Sequence, residues 1–229
     1  MSNSSKFGRS SIFFIEGSIG VGKSSFIEYA LENATTLFPK HEVVVVSENY
    51  QDNPFLSKFY SNPRKYALLN QEWFLEDECQ ILEQVRLREL KDYSLGLNPK
   101  ITLFDRSPFS SNVFSKTLYD DAKMPKKDYK TFIDLWKKKT DMFSLNTIPA
   151  GIFLFEAPVN VSFERIQKRG RPMEKTITTS YLERLKNNYT NYFLTSDLNQ
   201  YVYRINSGSN DINFYVEIIR VINSKMEDI

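Results

Sequence analysis

The sequence predicts an α/β fold, a five-stranded parallel sheet flanked by helices, on three observations. Short apolar runs alternate with longer stretches of helical spacing along the whole chain. One of those runs, EVVVVS at residues 42–47, is β-branched nearly throughout, as expected of a strand buried on both faces. A glycine-rich turn at residues 17–22 stands between the first apolar run and the first helical stretch. With 229 residues and no Gly/Ser-rich linker, the chain reads as one domain spanning residues 1–229.

Residues 12–16 form the first expected strand, and the apolar spacing of residues 23–37 predicts a helix behind the glycine turn. After the second strand, residues 53–62 are polar and Pro-marked. Pro63 then suits the first turn of a long helix ending near residue 93. A third strand at residues 101–104 ends at Asp105, and helices follow near 109–119 and 127–143. The fourth strand (151–155), a helix (159–168), an arginine-rich interruption (169–175), a helix (179–194), a fifth strand (201–205) and a closing helix (211–226) complete the order.

Composition excludes several classes of function. Apolar residues make up 41% and charged residues 25%, an ordinary globular balance that argues against disorder. The polar, Ser-rich residues 1–10 are the exception and are expected to be disordered. A formal charge of +2 gives no basic excess for gripping a phosphate backbone, so no nucleic-acid partner is expected. The single cysteine, Cys79, and the single histidine, His41, rule out an intramolecular disulfide and the usual zinc sites. No apolar run approaches the ~18 residues of a membrane span. These features predict a soluble, cytoplasmic chain in a reducing compartment, with no membrane partner.

The chemistry begins at Gly17-Ser18-Ile19-Gly20-Val21-Gly22-Lys23-Ser24, which fits G-x-x-x-x-G-K-[ST] between a strand and a helix. Such a loop points backbone N–H groups at phosphate oxygens, and the following helix N-terminus, including Ser25, adds partial positive charge. Lys23 is expected to reach the outer phosphates of a nucleoside triphosphate such as ATP, and Ser24 to hold Mg²⁺. Three further groups stand near the ends of later strands, where ligands bind in open α/β sheets. Glu48 follows the second strand and is a candidate general base, against the alternative of a solvated strand-end charge. Asp105 is a candidate Mg²⁺ ligand, and Arg106 beside it a candidate phosphate or carboxylate clamp, against a surface ion pair. Arg165, Arg169 and Arg171 surround Gly170 and suit a lid over a transferring phosphate at about residues 169–177; the alternative is a helix end favoured by the macrodipole.

Taken in order, these pieces resemble the deoxyribonucleoside kinases, a family that includes deoxycytidine, deoxyguanosine and type I thymidine kinases. The resemblance also takes in Phe59-Tyr60-x-x-Pro63 with Gln71, the Asp105-Arg106-Ser107 triplet, the segment from Arg165 to Glu174, and Tyr181-Leu182-x-x-Leu185. It implies a P-loop kinase fold and transfer of the ATP γ-phosphoryl group to a deoxynucleoside 5′-hydroxyl for nucleotide salvage, with Glu48 as base. It also implies Tyr60 and Glu174 on the sugar 3′-hydroxyl, Gln71 on the base, and a homodimer. The chain departs from the family pattern at Met173, where an acidic residue is usual, and at Asn53, near a missing tryptophan. Asn70 replaces a pocket aromatic, and Glu78 and Ser111 occupy positions that help to choose the base. Two other readings share parts of this pattern. A thymidylate-like monophosphate kinase would need extra arginines for the acceptor's phosphate. A catalytically silent binding subunit would be expected to lose the lysine, the base or the lid.

Overall fold

A computed structural model describes residues 10–144, 149–209, 212–227 and 229. Five parallel strands lie in the order β2-β3-β1-β4-β5: β1 Ile12–Gly17, β2 Val43–Val46, β3 Ile101–Asp105, β4 Gly151–Glu156 and β5 Val202–Asn206. Around them stand α1 Lys23–Glu32, α2 Ala34–Leu37, α3 Leu56–Ser61, α4 Pro63–Ser94, α5 Pro108–Asp120, α6 Lys126–Ser144, α7 Val159–Arg169, α8 Thr179–Thr195 and α9 Asn213–Glu227.

Strand periodicity determines which helix meets which residue. Side chains alternate across a sheet, so Phe13, Ile15, Phe153 and Phe155 face one way. There they pack with Phe26 and Ile27 of α1 and Ile218 and Ile222 of α9. Ile12, Phe14, Ile152 and Leu154 face the other way, onto Leu82 of α4, Val113 of α5, and Leu185 and Phe193 of α8. Both faces of β1 are therefore dry, and all six of its residues are buried.

Helix starts follow local chemistry. Asn62 accepts a hydrogen bond from the Lys65 amide at 3.3 Å, and Pro63 occupies the first turn of α4. Ser107 accepts from the Phe109 amide at 3.3 Å ahead of Pro108, and Thr178 accepts from the Tyr181 amide at 3.2 Å. Gly170, at φ 63°, closes α7 in the left-handed conformation.

The structure departs from the sequence expectations in four places. Val43–Val46 is an edge strand and only half-buried, because nothing pairs beyond it; a β-branched run does not distinguish an edge from a centre. The first helix breaks at Asn33, whose side-chain amide and backbone N–H both bond the Tyr29 carbonyl, at 2.8 and 3.2 Å. Within the polar, Pro-marked stretch 53–62, for which no element was expected, α3 forms because Phe59 packs against Ala67, Leu118 and Met124. A 3₁₀ turn at Asp197–Tyr201 delays β5 by one residue. Asp211, the expected start of the last helix, and residues 1–9 of the expected disordered segment lie outside the described residues. Among those described, no helix is long and apolar enough to cross a membrane.

Phe153 is fully buried at the sheet centre and stacks between Phe13 and Tyr203. Phe153→Ala is expected to cost about 3–5 kcal/mol of unfolding free energy, read from the shift of a urea denaturation midpoint at unchanged slope.

Candidate active site

The chain leaves β1 toward β2 on one side and returns from β3 to β4 on the other, so the loops after β1 and β3 diverge and open a crevice between them. Ile15 pairs with Asp105 across this junction. A cavity of about 590 Å³ opens here, within the usual range for small-molecule sites.

The glycine loop forms one end of the cavity. Gly17, at φ +134°, lies so close to β4 that a Cβ would sit 2.4 Å from the Phe155 carbonyl oxygen, and a Cβ on Gly20, at φ +78°, would sit 2.5 Å from that of Ser162. Ile19, Gly20, Lys23 and Ser24 line the cavity, while Gly17, Ser18, Val21 and Gly22 shape the loop behind them. Ser25 is exposed in the first turn of α1 and does not line it. Lys23 is buried, and its ammonium donates to the carbonyls of Gly17 at 3.4 Å and Ser18 at 3.2 Å. Burial, with Arg106 nearby, depresses its pKa to about 8.

Opposite the loop, Asp105 and Arg106 leave β3. Asp105 Oδ1 is buried without a hydrogen-bond partner among the described residues, an acceptor held ready for a cation or donor. Arg106 has φ 69°, a left-handed conformation that costs a side-chain-bearing residue roughly 1–2 kcal/mol. Its buried guanidinium bonds through Nη1 to the Gly17 carbonyl at 3.0 Å and to the Tyr189 hydroxyl, and lies 4.8 Å from the Phe114 ring centroid. Its Nε faces Glu48 Oε1 at 3.5 Å. Burial opposes the charge, but the Tyr189 oxygen and the Glu48, Asp105 and Glu16 carboxylates outweigh it and raise the arginine's pKa. Glu48 follows β2 and opens into the same cavity.

Away from the loop, the cavity is walled by Tyr60, Asn70, Gln71, Phe74, Glu78, Ser111, Phe114 and Tyr181. Tyr60 is driven up to about pKa 12 by burial, then by Glu174 and Glu48, so it stays a neutral hydroxyl. Gln71, nearly buried, presents an amide with no hydrogen bond among the described residues. Glu78 accepts from Ser111 at 2.7 Å, and burial raises its pKa well above the ordinary carboxylate range. Asn53 donates to Asn70 at 3.0 Å, so the two asparagines that depart from the family pattern pair with each other.

The three arginines of the expected lid divide. Arg169 and Arg171 line the cavity, and Arg169 grips Glu174 with two bonds, at 2.7 and 2.5 Å. Arg165 does not line it. That side chain instead donates to the carbonyls of Ser207 at 2.9 Å and Ser209 at 3.3 Å, beside the glycine loop. Shared helix spacing placed Arg165 with Arg169, whereas α7 presents Arg165 to the turn after β5.

Glu16, Ser110 and Tyr189 escaped the sequence reading. Glu16 is fully buried and accepts from the Ser107 amide at 2.9 Å, the Ser107 hydroxyl at 2.5 Å and the Ser110 hydroxyl. The signal was a carboxylate ending an apolar strand: a buried charge needs partners. Residues 12, 14 and 16 share a face, which turns Glu16 toward Ser107 and Ser110 at the start of α5.

This fold and cavity define a P-loop nucleotide-binding enzyme. A sequence model of the deoxynucleoside kinases matches residues 13–228, and the chain belongs to that family. It is 31% identical to deoxyguanosine kinase of Bacillus subtilis over 76% of this chain and 74% of that protein. It is 28% identical to the deoxyadenosine/deoxycytidine kinase of the same bacterium, over 80% of this chain and 77% of that one. The solved structure of deoxyadenosine kinase from M. mycoides with bound dCTP superposes with a TM-score of 0.73 at 20% identity, covering 93% of this chain and 99% of that one.

The depressed pKa of Lys23 carries a sign. Below about pH 8 the ammonium is charged and attracts a polyphosphate; above it the free protein must first take up a proton to bind. Affinity for ATP is therefore expected to be level near pH 7 and to fall by up to about tenfold per pH unit above 8, measured by titration calorimetry.

Proposed function

We propose that this kinase transfers the γ-phosphoryl group of ATP to the 5′-hydroxyl of a deoxynucleoside. The observation that carries this reading is Glu48. It stands between the phosphate loop and the acceptor chamber, against Arg106, in the same cavity as Lys23, Tyr60 and Gln71. Glu48 accepts the proton as the 5′-oxygen attacks in line. Lys23 releases the loop carbonyls for the outer phosphates, and Arg106 carries charge that develops on the transferring group.

Gln71 reads the base through one donor and one acceptor. Tyr60 and Glu174 hold the sugar. For Glu174 this requires sharing with or displacing Arg169, which then joins Arg171 over the phosphates as the lid. The donor set fits magnesium: Ser24 supplies a hydroxyl, and Asp105 supplies a buried carboxylate oxygen with no other partner among the described residues. These two residues would hold the ion, which would supply positive charge to the triphosphate. Arg165 serves the loop from behind.

Similarity to relatives named for deoxyguanosine, deoxyadenosine and deoxycytidine supports a deoxynucleoside acceptor. Phosphate transfer from ATP and Mg²⁺ to the four deoxynucleosides and thymidine monophosphate, run side by side, tests the reading. Transfer to at least one nucleoside is expected; transfer to the monophosphate alone overturns it. Glu48→Gln is expected to lower kcat by about 10²–10⁴-fold while the nucleoside dissociation constant stays within about threefold. Near-normal turnover in that variant excludes Glu48 as the base.

A further inference from the structure

Arg106, Tyr189, Ser110 and Glu16 form a continuous buried chain that leads away from the reacting groups, and its hydrogens run in a single direction. Ser110 donates its one hydroxyl hydrogen to Glu16 Oε2, so toward Tyr189, at 2.8 Å, it can only accept. The Tyr189 hydrogen therefore belongs to Ser110, which leaves the phenol oxygen to accept from Arg106 Nη1. Glu16 Oε1 is occupied by both donors of Ser107, the residue after Arg106. An arginine at one end and a carboxylate at the other are thus joined through two neutral hydroxyls, and Glu16 holds both the relay and Ser107, the residue after Arg106.

We propose that Tyr189 is a positioning residue for the phosphoryl transfer, acting with Ser110 and Glu16 to hold the Arg106 guanidinium against Glu48. Three features separate this role from mere core packing. Arg106 has a left-handed backbone, a conformation that persists only where the surrounding contacts over-determine it. The guanidinium edge opposite the relay is the one that meets the Glu48 carboxylate. And Tyr189 belongs to α8, which directly follows the segment carrying Arg169, Arg171 and Glu174, so the relay ties that segment to the catalytic arginine. Burial keeps the Tyr189 phenol neutral and able to donate.

This inference rests on the proposed transfer reaction. Tyr189→Phe removes only the hydroxyl and leaves the ring against Phe114 and Phe193. Its kcat is expected to fall by about 10–100-fold, with KM for ATP and nucleoside each within about threefold. Tyr192→Phe, a hydroxyl deletion three residues along the same helix, is expected to keep kcat within about twofold. In an Arg106→Lys background, which lacks the guanidinium fork, adding Tyr189→Phe is expected to change kcat by less than about twofold. A single variant with kcat unchanged, a KM that rises in step with the loss, a Tyr192→Phe defect of equal size, or the same loss in the lysine background would each overturn the relay. An unsubstituted protein that phosphorylates no deoxynucleoside would instead overturn the reaction on which it rests.

Discussion

A guanidinium buried in the crevice of a sheet must be matched by its surroundings, and the matching of Arg106 draws on several of the elements around the site. The P-loop contributes the Gly17 carbonyl, β2 leads into Glu48, β3 holds the neighbouring Asp105, α5 supplies Phe114, and α8 supplies Tyr189. Loss of any one partner leaves charge in a dry place, where an unpaired cation costs several kcal/mol. The same partners explain how a left-handed arginine persists: its roughly 1–2 kcal/mol of backbone strain is outweighed by bonds available only from that conformation. Arg106 thereby links the glycine loop, Glu48 and Phe114 across one end of the cavity.

The charged groups of the site pair with one another or with backbone carbonyls. Lys23 occupies the loop carbonyls, Arg169 holds Glu174 in a two-bond clamp, and Arg106 leans on Glu48. Under the proposed reaction these pairings are exchanged and not created from solvated groups: phosphates replace carbonyls around Lys23, and a sugar hydroxyl competes for Glu174. Such exchange keeps the desolvation of buried charges largely complete before binding. It also makes the Arg169–Glu174 clamp the natural place for acceptor and donor to influence each other, since freeing one partner frees both.

The donor end was the more legible part of the chain because backbone conformation fixes it. Gly17, Gly20 and Gly22 at fixed spacing demand one loop shape, and Lys23 and Ser24 follow from it. Glu48, Asp105 and Arg106 were also readable, since strand ends are visible as the edges of apolar runs. What the pattern could not show depends on which helix lies over which strand face. Val43–Val46 reads as a central strand until its missing neighbour is seen. Arg165 pairs with Arg169 by helical spacing, yet faces the turn after β5. Tyr189 looked like one more aromatic in a chain with 13 tyrosines and 18 phenylalanines. Only the packing of α8 on the face shared by residues 12, 14 and 16 gives its hydroxyl a purpose.

The acceptor end is built on a different principle. Asn70, Gln71, Phe74 and Glu78 all project from α4, within little more than two turns of a single helix. Their partners are side chains, Asn53 for Asn70 and Ser111 for Glu78, with no backbone geometry fixed by glycine. The Asn53–Asn70 bond illustrates this: two changes from the family pattern, 17 residues apart, make one mutually satisfied buried pair. Side chains of α4 thus form one end of the cavity and the glycine loop with Arg106 the other, each held by its own local contacts.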